Sequence, residues 1–168
     1  ENLILLEDLT EGIQGRVVNN GALAHLHLED PREKARVIQL LQARHPNIRI
    51  DDLSTTDNYK DLAAFPQRKG DLLILPNQGY YLTDVRGKVR YQNNAARFQT
   101  KVFGEHGFTP RYEDMHGIFY AKGPQIKVGL ELEPFQNIHI YPLLCRILNL
   151  PLPANLDGDP SVLESVLY

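Results

Sequence analysis

Residues 16–50, RVVNNGALAHLHLEDPREKARVIQLLQARHPNIRI, decide how the first half of this chain folds. Asn20-Gly21 is a hairpin dipeptide, because both residues accept the positive φ that tight two-stranded turns need. The flanking stretches, Arg16–Asn19 and Ala22–Glu29, read as its two strands. In the second strand Ala24, Leu26 and Leu28 share one face, and Leu23, His25 and His27 share the other. Asp30-Pro31 then opens a helix. Asp30 can cap it, Pro31 suits the first helical position and Glu33 adds charge favourable to its amino end. Val37, Leu40, Leu41 and Arg44 recur at helical spacing, His45-Pro46 ends the element, and Ile48–Ile50 is the next strand.

Working outward, Leu3–Glu7 is a short apolar opening and Thr10–Gly15 a glycine-containing turn. Residues 51–70 are polar and irregular. Asp71–Leu75 is a compact apolar strand, with Gly79–Thr83 after it. The expected layout is β-β-α-β-β, an α/β sandwich of about ninety residues. A boundary is expected near Val89–Lys101, a polar stretch without clear periodicity. Beyond it lie a glycine-flanked loop at Gly104–Gly107 and an apolar strand at Gly117–Ala121. A helix runs from near Asn137 to about Leu148, with Ile140, Leu143, Leu144 and Ile147 on its apolar side. Pro142 places the true start of that helix after Asn137. The tail LPLPANLDGDP is rich in Pro and Gly and reads as an extended surface segment.

Composition narrows the function classes. The chain has 168 residues, 42% hydrophobic and 23% charged, enough for one domain or two tightly associated lobes with a genuine core. A net charge of −3 gives no broad basic surface, so a nucleic-acid polymer is not the expected partner. No apolar run approaches the roughly 20 residues that cross a bilayer. The opening ENLILLEDL carries no basic segment or signal-cleavage pattern, and the expectation is a mature or excised chain. The single cysteine, Cys145, excludes an internal disulfide and a thiolate-rich metal site. Its apolar setting makes it a small buried hydrophobe.

Six histidines are the candidates for chemistry. His25 and His27 lie two apart on a strand beside Glu29 and Asp30, spacing that can chelate a metal but is explained more simply by an exposed strand face. His45 suits a contact with a helix end, and His139 a helix start at the surface. His106 differs. It lies in GEHG, where Gly104 and Gly107 permit a tight loop that lets an ion approach. Glu105 adjoins it, and Asp114 and His116 follow within ten residues. Such dense polarity before a buried strand suggests a site at a strand end, although nothing local completes four metal ligands.

GEHGF at 104–108, MHGIFYAKGP at 115–124 and EPFQNIHIYPLLCRILNLPLPAN at 133–155 together resemble the end of the type I phosphodiesterase/nucleotide pyrophosphatases, in the alkaline phosphatase superfamily. KGDLLILPNQGYYL at 69–82 is similar to an earlier family segment. The resemblance implies two zinc ions side by side and a threonine nucleophile attacking a phosphodiester or pyrophosphate. It carries one metal ligand to this chain: His106 matches the last ligand histidine. The Asp-His pair of the family's D-H-G motif and the nucleophile fall upstream of this region. No D-H-G occurs here, and the threonines at 10, 55, 56, 83, 100 and 109 stand in the wrong context. Thr109-Pro110 replaces the family's usual Asp-Asn, which puts the local loop geometry in question. The resemblance thus assigns no catalytic residue to the chain and leaves the substrate contacts open.

In fold terms the resemblance implies the C-terminal part of an alkaline-phosphatase-like α/β fold. Residues 1–98 correspond to an α+β inserted, cap-like subdomain, and residues 99–168 to the return into the core with a strand and a helix. The chain alone is expected to be inactive, to bind zinc weakly at best, and to expose core surface. Three outcomes would relieve that exposure: a dimer, a separate partner chain carrying the N-terminal catalytic half, or an inserted subdomain that folds by itself. The implied substrate is a nucleotide or other phosphodiester, and the implied location periplasmic or extracellular. Two alternatives stand. One is a non-catalytic nucleotide- or protein-binding module using Tyr80, Tyr81 and Phe108 to stack a base. The other is part of a related di-metal phosphatase or phosphonatase.

Overall fold

The NNGAL stretch folds as a hairpin, and the rest of the first sheet is laid against it. In the computed structural model, which describes residues 2–55 and 66–168, β2 (Gly15–Asn19) pairs antiparallel with β3 (Ala24–Leu28). Asn19 lies opposite Ala24, so the connection has four residues, and Ala22 and Leu23 belong to the turn and not to the expected strand. The turn closes on its own polar groups. The Gly21 amide donates to Asn19 Oδ1 (2.8 Å), the Ala22 amide to the Asn20 carbonyl (2.9 Å) and the Asn20 amide to the Leu23 carbonyl (2.9 Å).

β4 (Ile48–Asp52) and β5 (Leu72–Pro76) complete an antiparallel sheet of order β2-β3-β5-β4. β5 is central and buried along its whole length. Leu72 and Ile74 enter the main core with Ala24, Leu26 and Leu28, the face read from the alternation, while Leu73 and Leu75 pack with Leu53 on the other side.

A 3-10 turn at Pro31–Glu33 precedes α2 (Lys34–Arg44), and Asp30 caps it by accepting from the Arg32 amide (3.0 Å). Val37 and Leu41 are buried against the sheet and Leu40 is half-buried. Arg44 lies along the apolar side and donates to the Leu9 carbonyl (2.8 Å) near the end of α1 (Leu6–Thr10). β1 (Leu3–Leu5) pairs in parallel with β6 (Tyr81–Thr83), as a separate two-stranded sheet. The Gly79–Thr83 segment therefore does not extend the main sheet as the β-β-α-β-β layout implied. Of the irregular stretch expected at 51–70, β4 takes the start and α3 (Pro66–Lys69) the end. Residues 56–65 lie outside the described residues.

The expected polar boundary at Val89–Lys101 is mostly helix. α4 spans Val85–Phe98, capped by Asp84, which accepts from the Gly87 amide (2.6 Å), and closed by Gln99 in the left-handed region (φ 49°). No residue of α4 is fully buried, so the broad apolar stripe that marks a core helix is missing from its sequence. The first compact unit runs from Glu1 to His116 and the second from Gly117 to Tyr168.

In the second unit Gly117–Ala121 forms no strand ladder. Phe119 turns inward, edge-on to Phe135 (5.1 Å between centroids), whereas Ile118 and Tyr120 are 98% and 89% exposed. The side chains alternate as in a strand, but no neighbouring strand is present among the described residues to take its hydrogen bonds. After a 3-10 turn at Asn137–His139, α5 runs Ile140–Ile147 with Pro142 in its first turn, the late start expected from that proline. Pro142, Leu143 and Cys145 are its buried residues, and Leu144, expected on the apolar side, faces outward at 48% exposure. Leu143 packs with Leu163 and Val166, and Ile126 bridges to Leu167. Among the described residues no helix is long and apolar enough to cross a membrane.

Candidate functional site

The GEHG loop leaves α4 through Gln99 and passes the first unit without regular structure. Gly107 has φ +87°, so this position requires glycine, while Gly104 has an ordinary φ and open space around it. His106 is exposed at the head of the loop. Glu105 is half-buried and accepts a hydrogen bond from the Tyr91 hydroxyl of α4. Burial first, and then that bond to a carboxylate, hold the Tyr91 hydroxyl well above the usual phenol range. Tyr81 is raised likewise, by burial and then by the Glu105 charge.

The other polar residues of the region are engaged elsewhere. Asp114 accepts from the Gln78 amide nitrogen (3.2 Å to each oxygen), and the Gln78 backbone N–H donates to the Tyr112 hydroxyl (3.1 Å). His116 donates from Nε2 to the Pro110 carbonyl (2.9 Å). The strand at whose end Glu105, Asp114 and His116 were expected to gather does not form. No group of three His, Cys, Asp or Glu able to hold a metal is present among the described residues. His106 is a ligand-type side chain without co-ligands among the described residues.

Three of the remaining histidines have structural partners. His25 donates from Nδ1 to the Lys69 carbonyl (2.7 Å). His45 Nδ1 accepts from the Asn47 amide (3.2 Å), with its ring edge-on to Tyr80. His139 Nδ1 accepts from the Asp159 amide (2.9 Å). Burial, then the charge of Arg16, with His25 adding, lower the His27 imidazole below its ordinary 6.5 against the opposing pull of Asp71. The unfolded chain therefore takes up a proton at His27 before the folded chain does. Stability is full above about pH 6.5 and falls as the pH drops through the lower folded value. The melting temperature should be lower at about pH 5.5 than at about pH 7.5, and His27→Gln should reduce that difference. A dependence unchanged in the variant would show that another group carries it.

Tyr81 lies edge-on to Tyr91 (5.8 Å between centroids) and tilted against Phe108 (6.3 Å), and Tyr80 packs on the main core. These rings are committed to one another and to the sheet, and are not left free to stack a base. The cleft beside them, lined by Arg49, Pro76, Asn77, Phe108, Thr109 and Tyr112, measures about 50 Å³, whereas small-molecule sites occupy about 300–1,000 Å³. A larger depression of about 430 Å³ along Leu152–Pro160 is open surface in the second unit, where Asp159 Oδ1 is already bonded to Ser161. The described threonines are engaged locally as well: Thr10 donates to the Leu6 carbonyl, Thr55 to Asp52 and Thr83 to Asp84, while Thr100 bonds Val102 and Thr109 accepts from the Arg111 amide. Thr56 lies outside the described residues. Tyr91 was missed in the sequence because α4 was missed; Asp84 three residues before Gly87 was the available capping signal.

No protein-family model matches the chain. By sequence it is 36% identical over 135 residues to rat (Rattus norvegicus) ectonucleotide pyrophosphatase/phosphodiesterase family member 7, covering 79% of this chain and 27% of that protein. It is 33% identical over 141 residues to the human (Homo sapiens) member 7, covering 79% and 26%. By structure it superimposes on human ectonucleotide pyrophosphatase/phosphodiesterase 5 with a TM-score of 0.72 at 21% identity, over 99% of this chain and 41% of that one. The fold is thus the expected one, a mixed α/β chain matching part of an alkaline-phosphatase-like fold. The chain spans about a quarter of the length of the curated relatives it matches.

Proposed function

We propose, from the premise that this chain belongs to the nucleotide pyrophosphatase/phosphodiesterase family, that it is part of a zinc-dependent hydrolase and contributes His106 as a metal ligand. The observation that carries this reading is the GEHG loop itself: an exposed imidazole at a glycine-shaped bend, with no second donor group converging on it among the described residues. An imidazole nitrogen suits zinc, but one ligand does not make a zinc site. The remaining donors and the threonine nucleophile are assigned to the N-terminal half of the same protein. When bound, a zinc pair neutralises phosphate oxygens and lowers the pKa of the attacking oxygen. This chain's share is to present the imidazole as a neutral nitrogen donor.

The division at residue 98 belongs to the same reading: residues 1–98 form an inserted cap-like subdomain, and residues 99–168 return to the catalytic core. The bare Gly117–Ala121 segment supports it, since its alternating side chains suit a strand whose neighbours lie in the other half. The outward residues Ile118, Tyr120, Val128 and Leu148 are large apolar side chains left to solvent, as an uncovered core surface would be. Nucleotide phosphodiesters or pyrophosphates are the substrates this reading favours, and an extracellular or periplasmic location fits the ecto- prefix of the relatives.

Hydrolysis of bis(p-nitrophenyl) phosphate by this chain, with added zinc and an EDTA control, tests the proposal. No turnover is expected from the chain alone. With the upstream half supplied, EDTA-sensitive turnover should appear and His106→Ala should reduce it by about a hundredfold or more, beyond what loss of a ligand's supporting partner costs. Turnover by the isolated chain that EDTA and His106→Ala both abolish would overturn the idea of an incomplete site.

A further inference from the structure

We infer that Tyr91 of α4 is a positioning residue for His106, acting through the hydrogen bond it donates to the Glu105 carboxylate; the inference rests on the reading of His106 as a metal ligand. The loop needs such a device. Among the described residues no backbone hydrogen bond involves residues 103–108, so neither a helix nor a sheet holds the backbone that carries the imidazole. Side chains hold it instead, at three points. Phe103 packs edge-on against the Tyr91 ring (5.3 Å between centroids) on one shoulder of the loop. Phe108 packs against Tyr81 (6.3 Å) on the other. Between them Glu105 takes the Tyr91 hydroxyl.

The anchor is itself fixed. Tyr91 sits midway along α4, whose first turn is capped by Asp84. Tyr81 lies edge-on to Tyr91 and belongs to β6, hydrogen-bonded to β1. His106 is adjacent to Glu105 and so follows directly on a tethered residue, and its imidazole stays exposed while the backbone beneath it is restrained. A metal ligand has to be held to about half an ångström by the groups behind it, and a loop ordered beforehand does not lose that freedom when the ion arrives. The Tyr91 hydroxyl supplies that order without touching the ligand.

The experiment uses the full-length protein, with two readouts. Backbone NMR order parameters across residues 102–108 report the loop whether or not zinc binds there, and zinc titration reports the ligand. Tyr91→Phe keeps the ring contacts and removes the hydroxyl. Order parameters in the loop should fall with β5 unaffected, and zinc affinity should fall about tenfold, the low end for a lost supporting partner. Glu105→Ala should do the same, and the double variant should lose no more than either single. Glu105→Gln, which keeps an acceptor oxygen, should stay near the parent. Unchanged loop order parameters in Tyr91→Phe overturn the anchor. A more mobile loop with unchanged zinc affinity, where His106→Ala does lower that affinity, overturns the positioning role alone. If His106→Ala leaves zinc affinity intact, the ligand reading fails and the inference falls with it.

Discussion

Gly21→Ala is expected to destabilise the first unit by about 2–5 kcal/mol, a sum of backbone strain and overpacking. Gly21 has φ +76°, in the left-handed region, where an L side chain costs about 1–2 kcal/mol. An added Cβ would also lie 1.9 Å from Tyr81 Cζ and 2.0 Å from its hydroxyl oxygen. The ring tip could swing away from a lone clash, but Tyr91 and Phe108 flank it. Overpacking of this kind costs about 1–3 kcal/mol. The turn itself has little room to retreat, because the Gly21 carbonyl accepts the Leu82 amide (2.8 Å) and ties the hairpin to β6. The check is a denaturant midpoint at unchanged slope. Adding Tyr81→Leu should recover the steric part and leave the strain of about 1–2 kcal/mol. A total loss under about 0.5 kcal/mol, the range of neutral surface changes, would mean the turn does not adopt this geometry in solution.

The hairpin, α2, β4 and β5 were readable because each announces itself locally. Ala24, Leu26 and Leu28 alternate, Asp30-Pro31 caps, and Leu72–Leu75 is an uninterrupted apolar run short enough to suit a strand covered on both faces. The turn length was not readable, since the Asn19 side chain stands in for a backbone partner and widens the loop to four residues. Two elements failed for opposite reasons. α4 has a cap and good helix formers but no wide apolar stripe, so periodicity gave no signal where Asp84 did. Gly117–Ala121 has a strand's composition and a strand's alternation, yet a strand exists only as part of a ladder, and the described residues offer Ile118 and Tyr120 no neighbour.

The candidate site divides in the same way. The residue type and the glycine bend at His106 are local and could be read from GEHG. Which groups surround it depends on tertiary placement, and there the expectation of a shared site with Asp114 and His116 gave way to Gln78 and the Pro110 carbonyl. A carboxylate two turns of chain away is as free to brace a loop as to hold a metal. Spacing in sequence does not separate the two uses, whereas the hydrogen-bond partner does.

Ile74→Ala is expected to cost about 3–5 kcal/mol, and Leu73→Ala, one residue away in the same strand, about 2–3 kcal/mol. Both side chains are essentially inaccessible, so the transfer term alone would make them equal. The difference lies in what surrounds the hole. Ile74 is packed among Ile4, Leu26, Val37, Leu41, Leu72 and Leu82, held by two sheets and α2, and such a wall relaxes little when methyl groups are removed. Leu73 touches a smaller cluster of Leu53 and Leu75, with half-buried Leu23 on the turn able to move in and fill part of the space. Chemical denaturation of the two variants measures the contrast directly. A Leu73 loss below about 0.5 kcal/mol would mean that this face of β5 is open to water, since only surface positions tolerate such a truncation. The measurement bears on the loops as well as the core. Gln78, two residues beyond β5, holds Tyr112 and Asp114, so the chain that follows His106 is only as firmly placed as the strand that carries its tether.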